Sequence, residues 1–126
     1  MTAYEIINKG FGLAGETFDR FPDKDLPLIW LNVSAGESVE AENAIRAKRG
    51  MPLLENHPVI KDQSDPVDMA EQICAVALPY AVAGYLCADR EDNYLAAIFR
   101  NRFITALQNA AKCCEQSVVD VYGGEE

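Results

Sequence analysis

The sequence predicts an all-α fold: a small bundle of about four to five helices, with a long irregular loop and a flexible C-terminal tail. Three observations predict it. Leu95, Phe99, Phe103, Ala106, Ala110 and Cys113 recur at steps of four, four, three, four and three, which is one continuous helical face. Residues 73–88, "ICAVALPYAVAGYLCA", carry no charge yet are alanine-rich, as in a helix buried on nearly all sides. Helix-start signals recur along the chain, beginning with Thr2-Ala3-Tyr4-Glu5, which has capping-box spacing.

Taken in order, that capping box and the following Ile6 and Ile7 predict a short helix from about residue 3, ending near Gly10 or Gly12. "ETFDRFPDKD" reads as a turn-rich connector. Asp25 and Pro27 open a longer helix, with aspartate accepting free backbone N–H groups and proline tolerated in the first turn. Leu28, Leu31, Ala35, Val39 and Ile45 keep mostly helical spacing to about Lys48, where Lys48, Arg49 and Gly50 form a stop. Gly36 and the capping-box spacing Ser34-Ala35-Gly36-Glu37 leave two alternatives, one helix or two pieces breaking near Ser34. "MPLLENHPVIKDQSD" is expected to be an irregular loop with Leu53, Leu54, Val59 and Ile60 tucked inward. Asp65-Pro66-Val67-Asp68 restarts a helix to about Ala88. Pro79 kinks it, because it cannot donate to the carbonyl of Ala75. Asp89-Arg90-Glu91-Asp92 is a polar hinge before the last long helix, and "VVDVYGGEE" closes the chain. The 126 residues are read as one domain: N-terminal helix and connector over 1–24, helical core over 25–115, tail over 116–126.

Composition narrows the function. Net charge is −9, with 7 basic and 10 acidic side chains in residues 1–63 and 4 and 10 in residues 64–126. Such a surface repels phosphate backbones and disfavours a nucleic-acid-gripping groove, while leaving room for a wall past which nucleic acid slides. Cys74, Cys87, Cys113 and Cys114 lack zinc or C-x-x-C spacing and read as structural thiols; His57 is the lone histidine. The N-terminus shows no secretory-signal pattern, and the uncharged segment is short for a membrane span, so no membrane association is expected.

Candidate chemistry is sparse. Gly10, Gly12 and Gly15 spell G-x-G-x-x-G, but Pro22 cuts off the helix that should follow and no second strand pattern appears. They are expected to end the first helix and turn the chain toward the bundle. Glu37, Glu40 and Glu42 read as a solvated helix face, since no E-x-x-H partner accompanies them. No serine or cysteine has a nucleophile context. The chain is therefore not expected to be an enzyme, to bind a cofactor or to hold a metal. Candidate interface residues are Trp30, an aromatic anchor of the core or of a subunit contact; Arg100 and Arg102 in "IFRNRF", expected to pair with acids of this chain or of a neighbour; and Val118, Val119, Val121 and Tyr122 of the tail.

Three stretches carry a resemblance: "LPLIWLNVSAGESVEAENAIRAKRG", "ALPYAVAGYLCADREDN" and "YLAAIFRNRFITALQNA". Trp30-Leu31-Asn32, then Glu42, Asn43 and Arg46, then Ala77-Leu78-Pro79-Tyr80 with its acidic turn, then Phe99 and Phe103 resemble the pattern of small helical proteins of phages and prophages of Gram-positive bacteria, related to the head–tail connector (head-completion, adaptor) family. The similarity covers about residues 25–114; "SAGES" departs from the pattern. The resemblance implies a structural subunit of a homo-oligomeric ring that joins the portal protein to a tail-completion protein and lets DNA pass without sequence-specific binding. It would be made in the host cytoplasm and end at the virion head–tail junction. The alternative is a small DNA-packaging accessory or regulatory protein resembling a terminase small subunit.

Overall fold

The computed structural model describes the backbone of residues 1–123 and the side chains of residues 1–112. Within them the fold is all-α: α1 (Ala3–Leu13), α2 (Leu26–Glu37), α3 (Val39–Arg49), α4 (Leu78–Asp89) and α5 (Asn93–Gly123), with a 3₁₀ turn at Phe18–Arg20 and a π-helical turn at Ile73–Ala77 leading into α4. α4 is the central helix. It packs against α1, α2 and α5, and Leu78, Pro79, Ala81, Val82, Ala83, Gly84, Leu86 and Cys87 are all buried. The charge-free stretch in the sequence is therefore the middle of the core.

The Thr2 capping box forms as expected: the Glu5 N–H donates to Thr2 Oγ1 at 3.2 Å, and the Thr2 N–H donates to Glu5 Oε1 at 3.0 Å. α1 ends at Leu13, one residue past Gly12 and so near the expected place, but Gly10 does not end it. Gly10 is buried mid-helix because α4 crosses there: a Cβ on it would stand 2.8 Å from the Pro79 carbonyl oxygen and 2.8 Å from Val82 Cβ. The turn is made by Gly15 alone, at φ 77°. Its N–H donates to the Gly12 carbonyl and that of Glu16 to the Phe11 carbonyl, a Schellman closure. The end of α4 uses the same pair of bonds, Glu91 to Ala88 and Asp92 to Cys87, with Glu91 forced to φ 61°.

Several expected boundaries move, each for an identifiable reason. Asp25 caps nothing. The Asp23 carboxylate accepts from the Asp25 and Leu26 N–H groups instead. The first long helix is in two pieces, but it breaks at Ser38 rather than Ser34, and Ser34 forms no capping box. Both serines bond back along the helix, Ser34 Oγ donating to the Trp30 carbonyl at 2.7 Å and Ser38 Oγ to the Ser34 carbonyl at 2.8 Å. Asp65-Pro66 opens no helix. The Ala3 and Tyr4 N–H groups donate to the Asp65 and Gln63 carbonyls, and the Val67 N–H donates to the Met1 carbonyl, so this strip runs extended beside the N-terminus. In the preceding loop only Ile60 is buried and Leu54 is half-buried, while Leu53 and Val59 are exposed. The predicted face of α5 is observed: Phe99, Phe103 and Ala110 are buried, and Leu95 and Ala106 are partly so. Cys113, Cys114 and the tail side chains Val118, Val119, Val121 and Tyr122 lie outside the described residues.

Gly10 and Gly12 share one helix but not one environment, so alanine should act on them with opposite signs. Gly10→Ala forces overpacking against α4 and should lower stability by about 1–3 kcal/mol. Gly12 has nothing within 4 Å of a Cβ, and Gly12→Ala should raise stability by up to about 1 kcal/mol. Urea unfolding of the two variants measures both. Glu91→Gly relieves a left-handed non-glycine residue and should add roughly 0.5–1 kcal/mol by the same assay.

Candidate functional site

The expected solvated face of α3 holds the most deeply buried charges among the described residues. Glu42 is 2% exposed and Arg46 is 7% exposed. Glu42 Oε2 accepts from Arg46 Nε at 2.5 Å, while Oε1 accepts from the Ala70 N–H at 2.7 Å. The other guanidinium nitrogens donate to the Pro52 and Asp68 carbonyls, each at 3.2 Å. The solvated-face reading of Glu42 is thus corrected: an i,i+4 arginine and a distant backbone N–H together satisfy a carboxylate that burial would otherwise penalise. Glu40 is exposed.

Two asparagines complete this clamp on the loop. Asn43 donates to the Leu54 carbonyl at 2.9 Å and accepts from the Leu54 N–H at 2.7 Å. Asn32 does the same to Ile60, at 2.9 Å in both directions. Each amide copies one rung of a β-ladder, so the loop is pinned without forming a strand. The sequence reading assigned neither asparagine a role. Both belong to the stretches that carry the resemblance, and each lies on a helix face adjoining the proline loop, where an amide can satisfy backbone that has no helical partner.

The candidate interface residues separate. Trp30 is buried within its own chain, stacked on Tyr85 with ring centroids 6.1 Å apart and 6.1 Å from Phe21. That places it on the core side of its two readings. Arg100 grips Glu37 with two guanidinium nitrogens and lies 5.3 Å over the Phe103 ring. Its expected acid is therefore in this chain. That contact holds the Glu37 carboxyl below its ordinary range, while burial, and secondarily Glu37 itself, push the Tyr85 phenol up. Arg102, on the other flank of α5, is exposed, sits 5.9 Å over the Phe99 ring, and has no carboxylate partner among the described residues. It borders an open groove of about 530 Å³ between α5 and the π-helical turn, with Val76, Tyr80, Ala106 and Ala110 among its walls.

The glycine motif lies at the C-terminal end of α1, which presents carbonyl groups and the negative end of the helix dipole rather than free N–H groups. That is the wrong helix end for a phosphate. Cys74 and Cys87 are buried as expected, with desolvation pushing the Cys74 thiol up. Among the described residues no group of three or more histidine, cysteine or acidic side chains is placed to hold a metal. No helix among them is long and apolar enough to cross a membrane. Comparison with models of protein families, with curated proteins and with solved structures finds no match for this chain.

Two predictions follow from the electrostatics. Glu42→Gln leaves the buried Arg46 charge with only the exposed Asp68 carboxylate, 3.6 Å away, as counter-charge. It should cost about 3 kcal/mol in urea unfolding, with faster amide exchange at Leu54 and Ala70 as the loop loosens. The Glu37 carboxyl is held low in the fold, so its pairing stabilises above the ordinary carboxylate range and is lost as pH falls through the lowered value. Arg100→Gln should move the Glu37 titration, followed by carboxyl NMR, back up toward ordinary glutamate and flatten the acid limb of stability.

Proposed function

We propose that this protein is a structural phage protein, a head–tail connector subunit that assembles into a ring between portal and tail and lets DNA pass. The observation that supports this best is where the resemblance runs. Trp30, Asn32, Glu42, Asn43, Arg46 and Pro79, through which the chain resembles the connector group, are all engaged in fixing the helices and the long loop relative to one another. A ring subunit needs this property, since small errors in protomer shape accumulate around a closed assembly. The charge of −9 suits a channel through which a duplex moves without adhering. Portal and tail-completion proteins are the partners this reading implies. Assembly in the host cytoplasm and a final position at the head–tail junction follow from it.

Negative-stain microscopy of the purified protein, alone at high concentration and mixed with the portal protein of the same phage, tests the reading. Closed rings are the expected outcome. A protein that stays monomeric and ignores the portal overturns it, and tight, salt-sensitive binding to packaging-site DNA in a gel-shift titration would replace it with the packaging-accessory reading.

A further inference from the structure

Two surfaces of the described chain are each incomplete in a complementary way. The first is the groove beside α5. Its walls are largely apolar, including Val76, which is 48% exposed, and its one charged wall residue is Arg102. The second is the outer stripe of α2. Ile29 is 57% exposed and Val33 is 48% exposed, one helical turn apart. Asp25 precedes them at the same spacing, and its backbone is already in the right-handed helical region, so it continues the stripe. Asp25 neither caps α2 nor pairs with a cation among the described residues.

We propose that the α2 stripe of one copy of this chain docks into the α5 groove of the next, with Ile29 and Val33 on the apolar walls and Asp25 against Arg102. The inference rests on the ring reading above and names its junction. Charge complementarity selects the occupant. In a molecule of net charge −9 copies repel one another, and an apolar surface carrying an acid is best received where a local cation stands unpaired. The two surfaces cannot serve each other within one chain. Arg100 and Arg102 are two residues apart, hence about 200° around α5; Arg100 faces α2 through Glu37, and Arg102 faces the groove. A contact between unlike patches on different flanks is heterologous, the type that propagates head to tail and closes into rings where the rotation between copies closes.

Sedimentation velocity on the full chain tests the junction. Wild-type protein should form species larger than a dimer. Val76→Asp removes the groove and Ile29→Asp removes the stripe, and each variant, checked for native circular dichroism, should be monomeric alone. Mixed one to one, they retain one intact junction per pair and should give dimers and nothing larger. Arg102→Glu and Asp25→Arg should each weaken association by about tenfold, and the double variant should recover most of it. Single variants that assemble like wild type, a mixture that stays monomeric, or a charge swap without recovery would overturn the junction. So would assembly loss in Arg102→Glu that Ile29→Asp does not share, which would assign the groove to another ligand. Failure here is separable from failure of the connector reading: rings that persist in Val76→Asp and Ile29→Asp reject this contact alone, and wild-type protein monomeric by itself but ringed on a portal does the same.

Discussion

The long segment between α3 and α4 sends Ile60, Val67 and Ala70 into the core, and one buried ion pair on α3 ties its two ends together. Glu42 and Arg46 use their hydrogen-bonding groups to reach Pro52 at one end of the segment and Asp68 and Ala70 at the other. Pairing alone would not justify burying two charges, since desolvation can exceed the Coulombic gain. Here the pair also satisfies backbone groups that have no helical partner, and among the described residues no buried side-chain nitrogen or oxygen is left without a bond. The return is positional. α3 fixes where the chain re-enters the bundle, and so where α4, the centre of the core, begins.

α4 itself begins with a constraint that its sequence imposes. Pro79 has no N–H, so the Ala75 carbonyl loses its usual helical donor. The chain widens into a π turn, with the Leu78 N–H donating to the Ile73 carbonyl, and the Lys9 ammonium supplies the missing donor to Ala75 at 2.6 Å. The next residue, Gly10, admits the Pro79 carbonyl at the helix crossing. Two adjacent residues of α1 thus answer one proline of α4. The helix that leads the chain is locked to its centre by a polar contact and a steric one, acting side by side.

These two devices mark what the sequence made legible and what it did not. Features decided within a turn or two could be read directly: the Thr2–Glu5 capping box, the apolar face of α5, the glycine stop at Gly50 and the hinge after Asp89. Features decided by distant partners could not. Asp25 and Asp65 look like helix caps, but Asp23 captures the Asp25 and Leu26 N–H groups at the start of α2, and Asp65 accepts from the Lys61 and Asp62 N–H groups of its own loop. Glu42 looks like surface because the rule for charge runs is statistical and carries no knowledge of the Ala70 N–H, 28 positions away. Gly10 looks like a helix end because glycine usually is one, whereas a close helix crossing leaves no local trace. The candidate site divides in the same way. The pairing of Arg100 with an acid was legible as a type of contact, and its identity as Glu37 was not. The groove at Arg102 depends on the π turn; Pro79 announced a distortion there, but not that it would take the form of a π turn.

The position of the resemblance explains why so little functional chemistry could be read from it. Trp30, Asn32, Glu42, Asn43, Arg46 and Pro79 are all engaged within the fold: a tryptophan stacked in the core, two asparagines and an ion pair that hold a loop, and a proline that resets a helix. Residues that choose a partner need not belong to that set, because function lives in sites carried on a fold rather than in the fold itself. Ile29, Val33, Val76 and Arg102 fall between the motif positions or on the opposite face from them. Ile29, Val33 and Val76 expose apolar side chains, and Arg102 exposes a charge with no carboxylate partner among the described residues. One exposed valine needs no explanation. An acid followed by two apolar residues along one stripe, and a groove of opposite charge and like polarity on another flank, make a pair that single exposures do not, and it is this pair that the proposed junction uses.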